Sequence, residues 1–376
     1  MRKCGVVVMV FFLGLLTITG AAAPKPIRIG LQGPITGAWA YEGEMAVNSV
    51  QIVADQINGA GGVLGRPIEI VVGDDQGSPR QGALVAQRMV SDGVVAVISS
   101  YGSSVTEPSA AIYEEAELLS IGYGATAERL TERGLKFFFR TCFRDDRQGQ
   151  FFAALVDDVL KVKRVAIIHD NTTFARGLAE AAKRFLEKSP AAELVFYDAV
   201  TPGEKDFSPI LTRMRTAAPE VVYFTGYYPE AGLILYQARN LGIDALFVGG
   251  NAAINDEFVT IAGLDVALGS IVTQEPLPTD LPYPEARDFL AEYIKRHGEA
   301  PSTPWPVYAA DALKVITAAI EATGSTDSRV LTKYLREGLK DLPGITGPIS
   351  FEASGDRAGA IYRAYVVDHQ GQLVPY

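Results

Sequence analysis

The sequence predicts an α/β protein built from two parallel sheets that helices cover on both faces. Short β-prone apolar segments alternate with amphipathic segments along the chain, which is the pattern of successive βαβ units. The alternation starts again near Asp145, so a second α/β unit is expected there. With 376 residues, 48% of them hydrophobic and 21% charged, the chain is long and apolar enough for two cores.

Residues 1–23 have the layout of a cleaved secretory signal. Two basic residues precede an apolar run over 6–17, and small residues close it. A membrane anchor is the alternative, although the run is short for a span. Cys4 lies ahead of the run and is therefore not placed to become a lipidated first residue. After cleavage Cys142 is the only cysteine left, so no internal disulfide is expected.

The first unit begins with strands and helices in strict alternation. Each predicted helix carries apolar residues on one face, and glycine or aspartate residues mark the turns between elements. The predicted strands are 27–31, 68–72 and 94–99, and the predicted helices are 43–57 and 79–92.

The second unit repeats the same order of elements. The predicted helices are 148–160, 175–186, 207–216, 229–241 and 256–262, and the predicted strands are 164–169, 193–197, 221–225 and 246–249. A proline-rich connector then leads to helices 285–297 and 308–323, and strands 349–351 and 361–367 close the chain. Because no strand separates those two helices, we expect them to complete an earlier sheet.

Two neighbouring turns in the stretch 97–131 carry small hydroxyl residues directly after apolar runs. A helix start is expected at Ser104 or Thr106, with Pro108 just behind it, and another at Thr126. Unpaired N–H groups make a helix start weakly positive, so a carboxylate would bind there. One such turn alone would indicate only helix capping. Two adjacent turns favour a binding crevice at the carboxyl ends of parallel strands.

Aromatic residues also gather at the predicted strand ends. For any single ring, packing at the edge of the core is the simpler interpretation. Their recurrence in both halves of the chain indicates a ligand cleft. The residues concerned are Trp39, Tyr41, Tyr101, Tyr123, Phe174, Tyr227 and Tyr228.

Charge and motifs disfavour several other functions. The net charge of −10 and the absence of a Lys/Arg run argue against nucleic acid and anionic membranes as partners. The Walker pattern, paired metal-ligand cysteines and the nucleophile elbow are missing, so nothing indicates an enzyme, a metal or a cofactor. Asp74 and Asp75 could bind a metal, but capping or a hinge role is favoured because no third ligand follows at useful spacing.

Seven segments resemble the leucine/isoleucine/valine-binding protein family, the periplasmic receptors of ABC importers. They are GPITG (33–37), YEGEM (41–45), INGAGGVLGRPIEIVVGDD (57–75), GATAERLTERG (124–134), AIIHD (166–170), TPGEKDF (201–207) and GYYPEAG (226–232). The resemblance implies a type I periplasmic binding protein fold, in which two lobes joined by three crossovers close over a ligand. It also implies a monomer in the periplasm that delivers a small solute to an ABC permease.

By this resemblance one lobe comprises 24–144 plus 275–350, and the other comprises 145–274 plus 351–376. The hinge would then lie near Thr141, Thr273 and Ser350.

The resemblance also implies which residues bind the ligand. Ser103 and Thr126, with the backbone around Gly124 and Ala125, match positions that hold an amino acid's carboxylate. The other positions that we expect at the ligand are Tyr41, Glu42, Tyr101, Phe174, Tyr227 and Asn251. Some family members have a pair of cysteines at the positions of Gly77 and Gly102, and both cysteines are absent from this chain.

The predicted ligand is a branched-chain or related amino acid. Asn251 stands where the family has an acidic residue that binds the ammonium group, so either Glu42, Glu230 or Asp145 supplies the carboxylate or the ligand is not a zwitterion. The alternatives are a receptor for a carboxylate without an α-amino group, such as an aromatic or keto acid, or for an amide. A ligand-sensing regulator of the same fold and a secreted hydrolase are the rivals from other classes.

Overall fold

The computed structural model describes residues 24–376. The predicted signal segment, 1–23, lies outside the described residues. Elements are numbered in chain order. Within 24–376, no helix is both long and apolar enough to cross a bilayer.

The first sheet consists of five parallel strands. Numbered along the chain, they are β1 (Ile27–Gly33), β2 (Ile68–Asp74), β3 (Ala96–Ser99), β4 (Ser120–Gly122) and β5 (Phe138–Arg140). Their spatial order is β2-β1-β3-β4-β5. The strand order reverses between β1 and β3, which opens a crevice beyond their carboxyl ends. The loops 34–39 and 100–102 border this crevice.

Helices pack around the first sheet from two separate parts of the chain. Those that follow its strands are α1 (Ala40–Gly59), α2 (Pro79–Ser91), α3 (Ser103–Glu115) and α4 (Arg129–Glu132). The later ones are α11 (Pro284–His297), α12 (Trp305–Thr323) and α13 (Ser328–Glu337). Because α11 and α12 pack against α1, and α12 also contacts β3 and β4, these later helices complete the first sheet's core as predicted. We call this body lobe 1.

The second sheet consists of seven strands, of which one, the sixth along the chain, runs opposite to the others. They are β6 (Arg164–His169), β7 (Glu193–Ala199), β8 (Val221–Phe224), β9 (Leu246–Gly249), β10 (Ile271–Gln274), β13 (Arg363–Val367) and β14 (Leu373–Pro375). Their spatial order is β14-β13-β10-β9-β8-β6-β7, with β13 antiparallel to both β10 and β14. The order reverses between β6 and β8, so a second crevice opens beyond those two strands.

The helices of the second body, lobe 2, lie between its strands. They are α5 (Asp145–Ala154), α6 (Thr173–Leu186), α7 (Ser208–Thr216), α8 (Tyr228–Asn240), α9 (Asp256–Ala262) and α10 (Leu264–Ala267). A π-helical turn, Leu155–Leu160, extends α5. Local chemistry fixes two of the starts: Thr172 Oγ1 accepts from Ala175 N at 3.2 Å, and Asn255 Oδ1 accepts from Phe258 N at 3.0 Å.

The chain passes between the lobes three times. It leaves lobe 1 after β5, returns after β10, and crosses again after the hairpin of β11 (Leu342–Gly344) and β12 (Gly347–Ile349) to form β13. The predicted fold class, two doubly wound lobes joined by three crossovers, is therefore confirmed.

Some predicted boundaries are wrong. Helix α3 begins at Ser103 and contains Pro108, which removes only the hydrogen bond to the carbonyl of Ser104 near the helix start. The helix expected at Thr126 begins at Arg129 and has four residues, which are too few for a substantial macrodipole. The sequence-based assignment also missed β5, β10, β11, β14, α10 and α13.

Candidate functional site

Aromatic rings from both lobes meet where the two sheets present their carboxyl ends. Trp39, in the loop after β1, stacks on Tyr227 after β8, with ring centroids 4.0 Å apart and planes at 25°. Tyr101, after β3, lies edge-on to both, at 5.8 Å from Trp39 and 5.9 Å from Tyr227. Phe174 packs on Tyr227 at 5.3 Å, and Trp305 on Tyr101 at 5.7 Å. We call the region where these five rings meet the inter-lobe cleft.

The absence of a side chain at Gly77 and at Gly102 leaves room for the indole of Trp39. A Cβ atom added at Gly77 would lie 2.7 Å from Cε3 of the indole, and one at Gly102 would lie 2.7 Å from Cζ3. Gly77 also has φ +65°, which disfavours any residue with a side chain. The two positions at which the family resemblance places a cysteine pair are thus in contact with an indole ring here.

The lobes are closed on each other in this structure. Several hydrogen bonds and one ion pair join them outside the aromatic cluster. They include Tyr228 Oη to the Ala38 carbonyl at 2.7 Å, Thr173 Oγ1 to Glu107 Oε2 at 3.3 Å, and Arg184 Nη2 to Glu128 Oε1 at 2.7 Å.

The two hydroxyl-bearing turns of lobe 1 lie next to each other, as the sequence predicted. Ser103 is the first residue of α3, and its Oγ accepts from the Ala127 backbone N–H at 3.2 Å. Thr126 is fully buried, and its Oγ1 has no hydrogen-bond partner among residues 24–376. Gly124 lies against Tyr101, since a Cβ at Gly124 would come within 2.8 Å of that ring. The sequence-predicted Ser103, Gly124, Ala125, Thr126 and Tyr101 are therefore brought together.

A buried arginine that sequence reasoning missed fixes the second turn. Arg140 Nη1 donates to the carbonyls of Ala125 at 3.0 Å and Ala127 at 2.9 Å. In a planar trans peptide the N–H points opposite to the carbonyl, and no described peptide bond is cis. The N–H of Thr126 therefore points away from Arg140. The signal available in the sequence was a single arginine directly after the three phenylalanines at 137–139.

Arg140 is itself held by the third crossover. Its Nε forms a 2.6 Å ion pair with Asp356 Oδ1, and its Nη2 donates to Thr131 Oγ1 at 2.6 Å. The Arg140 side chain is fully buried, and burial of Asp356 is offset by this guanidinium, which together with its other partners lowers the pKa of that carboxyl. The geometry of the turn thus depends on a contact between β5 and the segment that precedes β13.

Tyr41 and Glu42 contact the opposite lobe at the start of α1. Tyr41 Oη donates to Asp256 Oδ2 at 2.9 Å and lies 2.7 Å from Ser302 Oγ. Glu42 accepts from Asn255 Nδ2 at 3.2 Å and from Thr303 Oγ1 at 2.7 Å, and burial raises its pKa to about 7. Both carboxylate oxygens of Glu42 are thus engaged by protein donors. The ring that this segment contributes to the cleft is Trp39, whereas we expected Tyr41.

Phe174, Tyr227 and Asn251 come from lobe 2 at the ends of β6, β8 and β9. Asn251 is 3% exposed, and its Nδ2 donates to Glu275 Oε2 at 3.1 Å. Sequence reasoning did not name Glu275, although this residue follows β10 just as Asn251 follows β9. Glu230, one of the carboxylates considered, instead accepts from the Gly203 N–H at 2.8 Å.

Two buried carboxyl groups lie near the first and second crossovers. Burial raises the pKa of Asp145 to about 8 and that of Glu275 to about 7. Neither oxygen of Asp145 has a hydrogen-bond partner in the part of the chain that the structure describes. The remaining cysteine, Cys142, is buried and free. Across 24–376, no group of three or more His, Cys, Asp or Glu residues could hold a metal.

Comparison with known proteins gives a consistent result. Residues 26–372 match the family model described as periplasmic binding protein. The chain is 37% identical over 345 residues to the Leu/Ile/Val-binding protein BraC3 of Rhizobium johnstonii, covering 91% of this chain and 92% of that relative. It is 34% identical to the leucine-, isoleucine-, valine-, threonine- and alanine-binding protein of Pseudomonas aeruginosa, over 91% and 90% of the two chains.

Solved structures show the same fold. The branched-chain amino acid transporter substrate-binding protein LivJ of Streptococcus pneumoniae, in complex with isoleucine, is 29% identical, with a TM-score of 0.83 over 94% of this chain and 100% of that chain. The leucine-binding protein LivK of Thermotoga maritima is 27% identical, with a TM-score of 0.86 over 93% and 97%. The resemblance inferred from the sequence is confirmed. The chain therefore belongs to the periplasmic binding protein family, whose two-lobe fold it shares along nearly its whole described length.

Proposed function

We propose that the protein is the periplasmic receptor of an ABC importer and that it binds a branched-chain or related amino acid between its lobes without catalysis. The observation that carries this proposal is the convergence of buried, unpartnered polar atoms with five aromatic rings where the two lobes meet. Thr126 Oγ1 and Asn251 Oδ1 are both buried and unpartnered among 24–376. A small ligand with polar ends and an apolar body matches such a lining. The names of BraC3 and of the Pseudomonas relative support the same ligand class.

In this proposal the turn of lobe 1 binds the ligand's carboxylate. Ser103, Thr126 and the N–H groups beside Gly124 and Ala125 supply the donors, and Arg140 holds the turn from behind. Tyr101, Phe174 and Tyr227, together with Trp39 and Trp305, surround the apolar part. Tyr41 and Glu42 stabilise the closed form by their contacts to lobe 2.

We further propose lobes of 24–144 plus 275–350 and 145–274 plus 351–376, with hinge motion near Thr141, Thr273 and Ser350. Ligand binding between lobes typically couples to hinge closure of this kind. The receptor acts as a monomer, is exported by the segment 1–23, and delivers its ligand to an ABC permease.

An aromatic carboxylate is a second candidate ligand. The specific observation in its favour is the number of rings at the cleft, since flat ligands stack well on aromatic side chains. Calorimetry with benzoate and phenylalanine beside leucine would separate this candidate from a branched-chain amino acid.

Ligand binding should raise the melting temperature of the purified protein. A ligand at 100 times its Kd adds about 2.7 kcal/mol to the free energy of unfolding, which is a shift of several degrees. Thermal melts with each of the common amino acids therefore test the receptor role. Turnover of a ligand that binds would contradict the proposal that the protein is not an enzyme.

Removing either hydroxyl of the carboxylate site should weaken binding by about one to two decades. A charge-assisted hydrogen bond contributes roughly 1.5–3 kcal/mol, and Ser103→Ala or Thr126→Ala each removes one such donor. Ser104→Ala is the matched control, because Ser104 lies on the same turn of α3 but is only half-buried. Calorimetric titration gives the affinities. Unchanged affinity in both Ser103→Ala and Thr126→Ala would exclude the carboxylate site.

A further inference from the structure

Acceptor oxygens without partners are concentrated near the first and second crossovers. They belong to four side chains of the described region, all at least nine-tenths buried. The atoms are Asp145 Oδ1 and Oδ2, Gln148 Oε1, Asn251 Oδ1 and Glu275 Oε1. The hydroxyls of Thr126 and Tyr362 lie close enough to Asp145 and Glu275 to offset part of the rise in pKa that burial causes. Leaving buried acceptors unpaired is costly, so a ligand donor placed among these oxygens would be stabilised.

Hydrogen bonds and helix spacing relate the four side chains to one another. Asn251 Nδ2 donates to Glu275 Oε2 at 3.1 Å. Gln148 Nε2 donates to the carbonyl of Thr273 at 2.5 Å and to its Oγ1 at 3.1 Å, two residues before Glu275. Asp145 lies three residues before Gln148 in the first turn of α5, so both project from the same face of that helix.

The backbone N–H of Asp145 donates to the Thr126 carbonyl at 3.1 Å, which places this group beside the turn proposed to bind the ligand's carboxylate. Burial and the charge of Asp170 are the larger causes of the raised pKa of Tyr227, one of the cleft rings, and the charge of Asp145 contributes after them. The charge of Glu275 also contributes, after burial, to the raised pKa of Asp145. These two carboxyl groups therefore interact with each other, and Asp145 interacts with the proposed ligand cleft.

The guanidinium whose charge acts on Asp145, that of Arg140, is already paired within the protein. Arg140 is close enough to Asp145 to favour its ionised form. Its guanidinium, however, is committed to Asp356, Thr131 and two backbone carbonyls. The two amide groups donate their N–H to Glu275 and Thr273 and leave only oxygens unpaired. A group with several N–H donors and a positive charge complements such a set, whereas a second carboxylate or an apolar group does not.

We propose that Asp145, Gln148, Asn251 and Glu275 form the subsite that binds the ligand's ammonium group, with Glu275 supplying the charge that Asn251 lacks. This assignment rests on the proposed receptor function and adds to it a requirement for an amine. It also replaces Glu42 and Glu230 as sources of that charge, because the oxygens of Glu42 and the Oε1 of Glu230 already accept hydrogen bonds from the protein.

The test compares leucine with 4-methyl-2-oxopentanoate, which has the same skeleton and carboxylate but no amine. Calorimetric titration of the wild-type protein should give at least a tenfold preference for leucine. Glu275→Gln should weaken leucine binding at least tenfold and leave the affinity for the keto acid within threefold. The preference for the amine, rather than overall binding, is therefore the quantity that the substitution changes.

Two further variants control for structural damage. Glu230→Gln neutralises a buried carboxylate of lobe 2 that lies outside the proposed subsite and should leave the preference unchanged. The double variant Asn251→Asp with Glu275→Gln exchanges acid and amide across the same 3.1 Å contact and should restore part of the preference. If Glu275→Gln does not fold, the wild-type preference and the exchange variant still decide the question.

The outcomes separate this inference from the proposed receptor function. Equal wild-type affinity for leucine and its keto acid, or an unchanged preference in Glu275→Gln, overturns the ammonium subsite and leaves a carboxylate receptor. Binding of neither compound, and of no other amino acid in the thermal melts, overturns both proposals together.

Discussion

Arg140→Met is expected to lower the free energy of unfolding by about 3–5 kcal/mol, the usual loss when one member of a buried ion pair is removed. The substitution removes the 2.6 Å ion pair to Asp356 and unpairs the carbonyls of Ala125 and Ala127. Methionine retains most of the apolar stem, so the change reports mainly on the guanidinium. Urea unfolding at constant pH measures the loss.

The same variant should also lose ligand affinity, because the Thr126 turn loses the contacts that orient it. Arg184→Met is the control, since Arg184 pairs with Glu128 but its side chain is 49% exposed. An exposed pair of this kind contributes at most about 1 kcal/mol. A loss below about 1 kcal/mol for Arg140→Met would show that the buried network does not hold the turn.

The ligand-free protein is expected to become more stable as the pH falls from 8 to 6. Burial is the main cause of a raised pKa at five carboxyl groups that the structure describes. They are Asp145, with a pKa of about 8, Glu42 and Glu275 at about 7, and Asp75 and Asp170 at about 6. In the unfolded chain these groups ionise near pH 4, so between pH 8 and 6 the folded state binds more protons.

The sign follows from that difference in bound protons. Stability that is fully present below the unfolded pKa is lost as the pH rises through each folded pKa, at about 1.4 kcal/mol per proton and pH unit. His169 opposes the trend in part, because burial lowers the pKa of its imidazole and acid therefore favours its unfolded form. Urea unfolding at pH 6, 7 and 8 measures the slope.

Substitution of the two crossover carboxyl groups should flatten this dependence. Asp145→Asn with Glu275→Gln removes two of the three carboxyl groups whose pKa is raised to about 7 or 8. The double variant is expected to gain stability at pH 8 relative to the wild type and little at pH 6. A wild-type stability that is constant or falls from pH 8 to pH 6 would contradict the prediction.

Helices and strands whose bounds depend on neighbouring residues in the sequence were predicted well. Strands β6 and β9 and helix α9 have the bounds expected from their apolar runs and turn residues. The three-residue strand β5 is too short to show a period of two. Helix α13 was missed although its apolar residues follow helical spacing and Asp327 caps it, so that signal was available in the sequence.

The orientation of side chains could not be predicted in the segment 39–42. Three candidate residues follow one another, and each could enter the cleft. Because α1 begins at Ala40, Trp39 stays in the loop and reaches Tyr227, while Tyr41 and Glu42 turn toward Asp256 and Asn255. The glycines at 77 and 102 could not be connected with the indole until the loops after β1, β2 and β3 were placed together.

The sequence by itself determined the fold class, the family and the strand-end turns, because periodicity, turn chemistry and family motifs are local or linear signals. Only the tertiary structure decided which groups share the site. Arg140 reaches Asp356 across 216 positions, and Asn251 meets Glu275 because β9 and β10 are adjacent strands of one sheet. Such contacts depend on strand order and on lobe closure, which bring together residues whose chemistry has no signature along the chain.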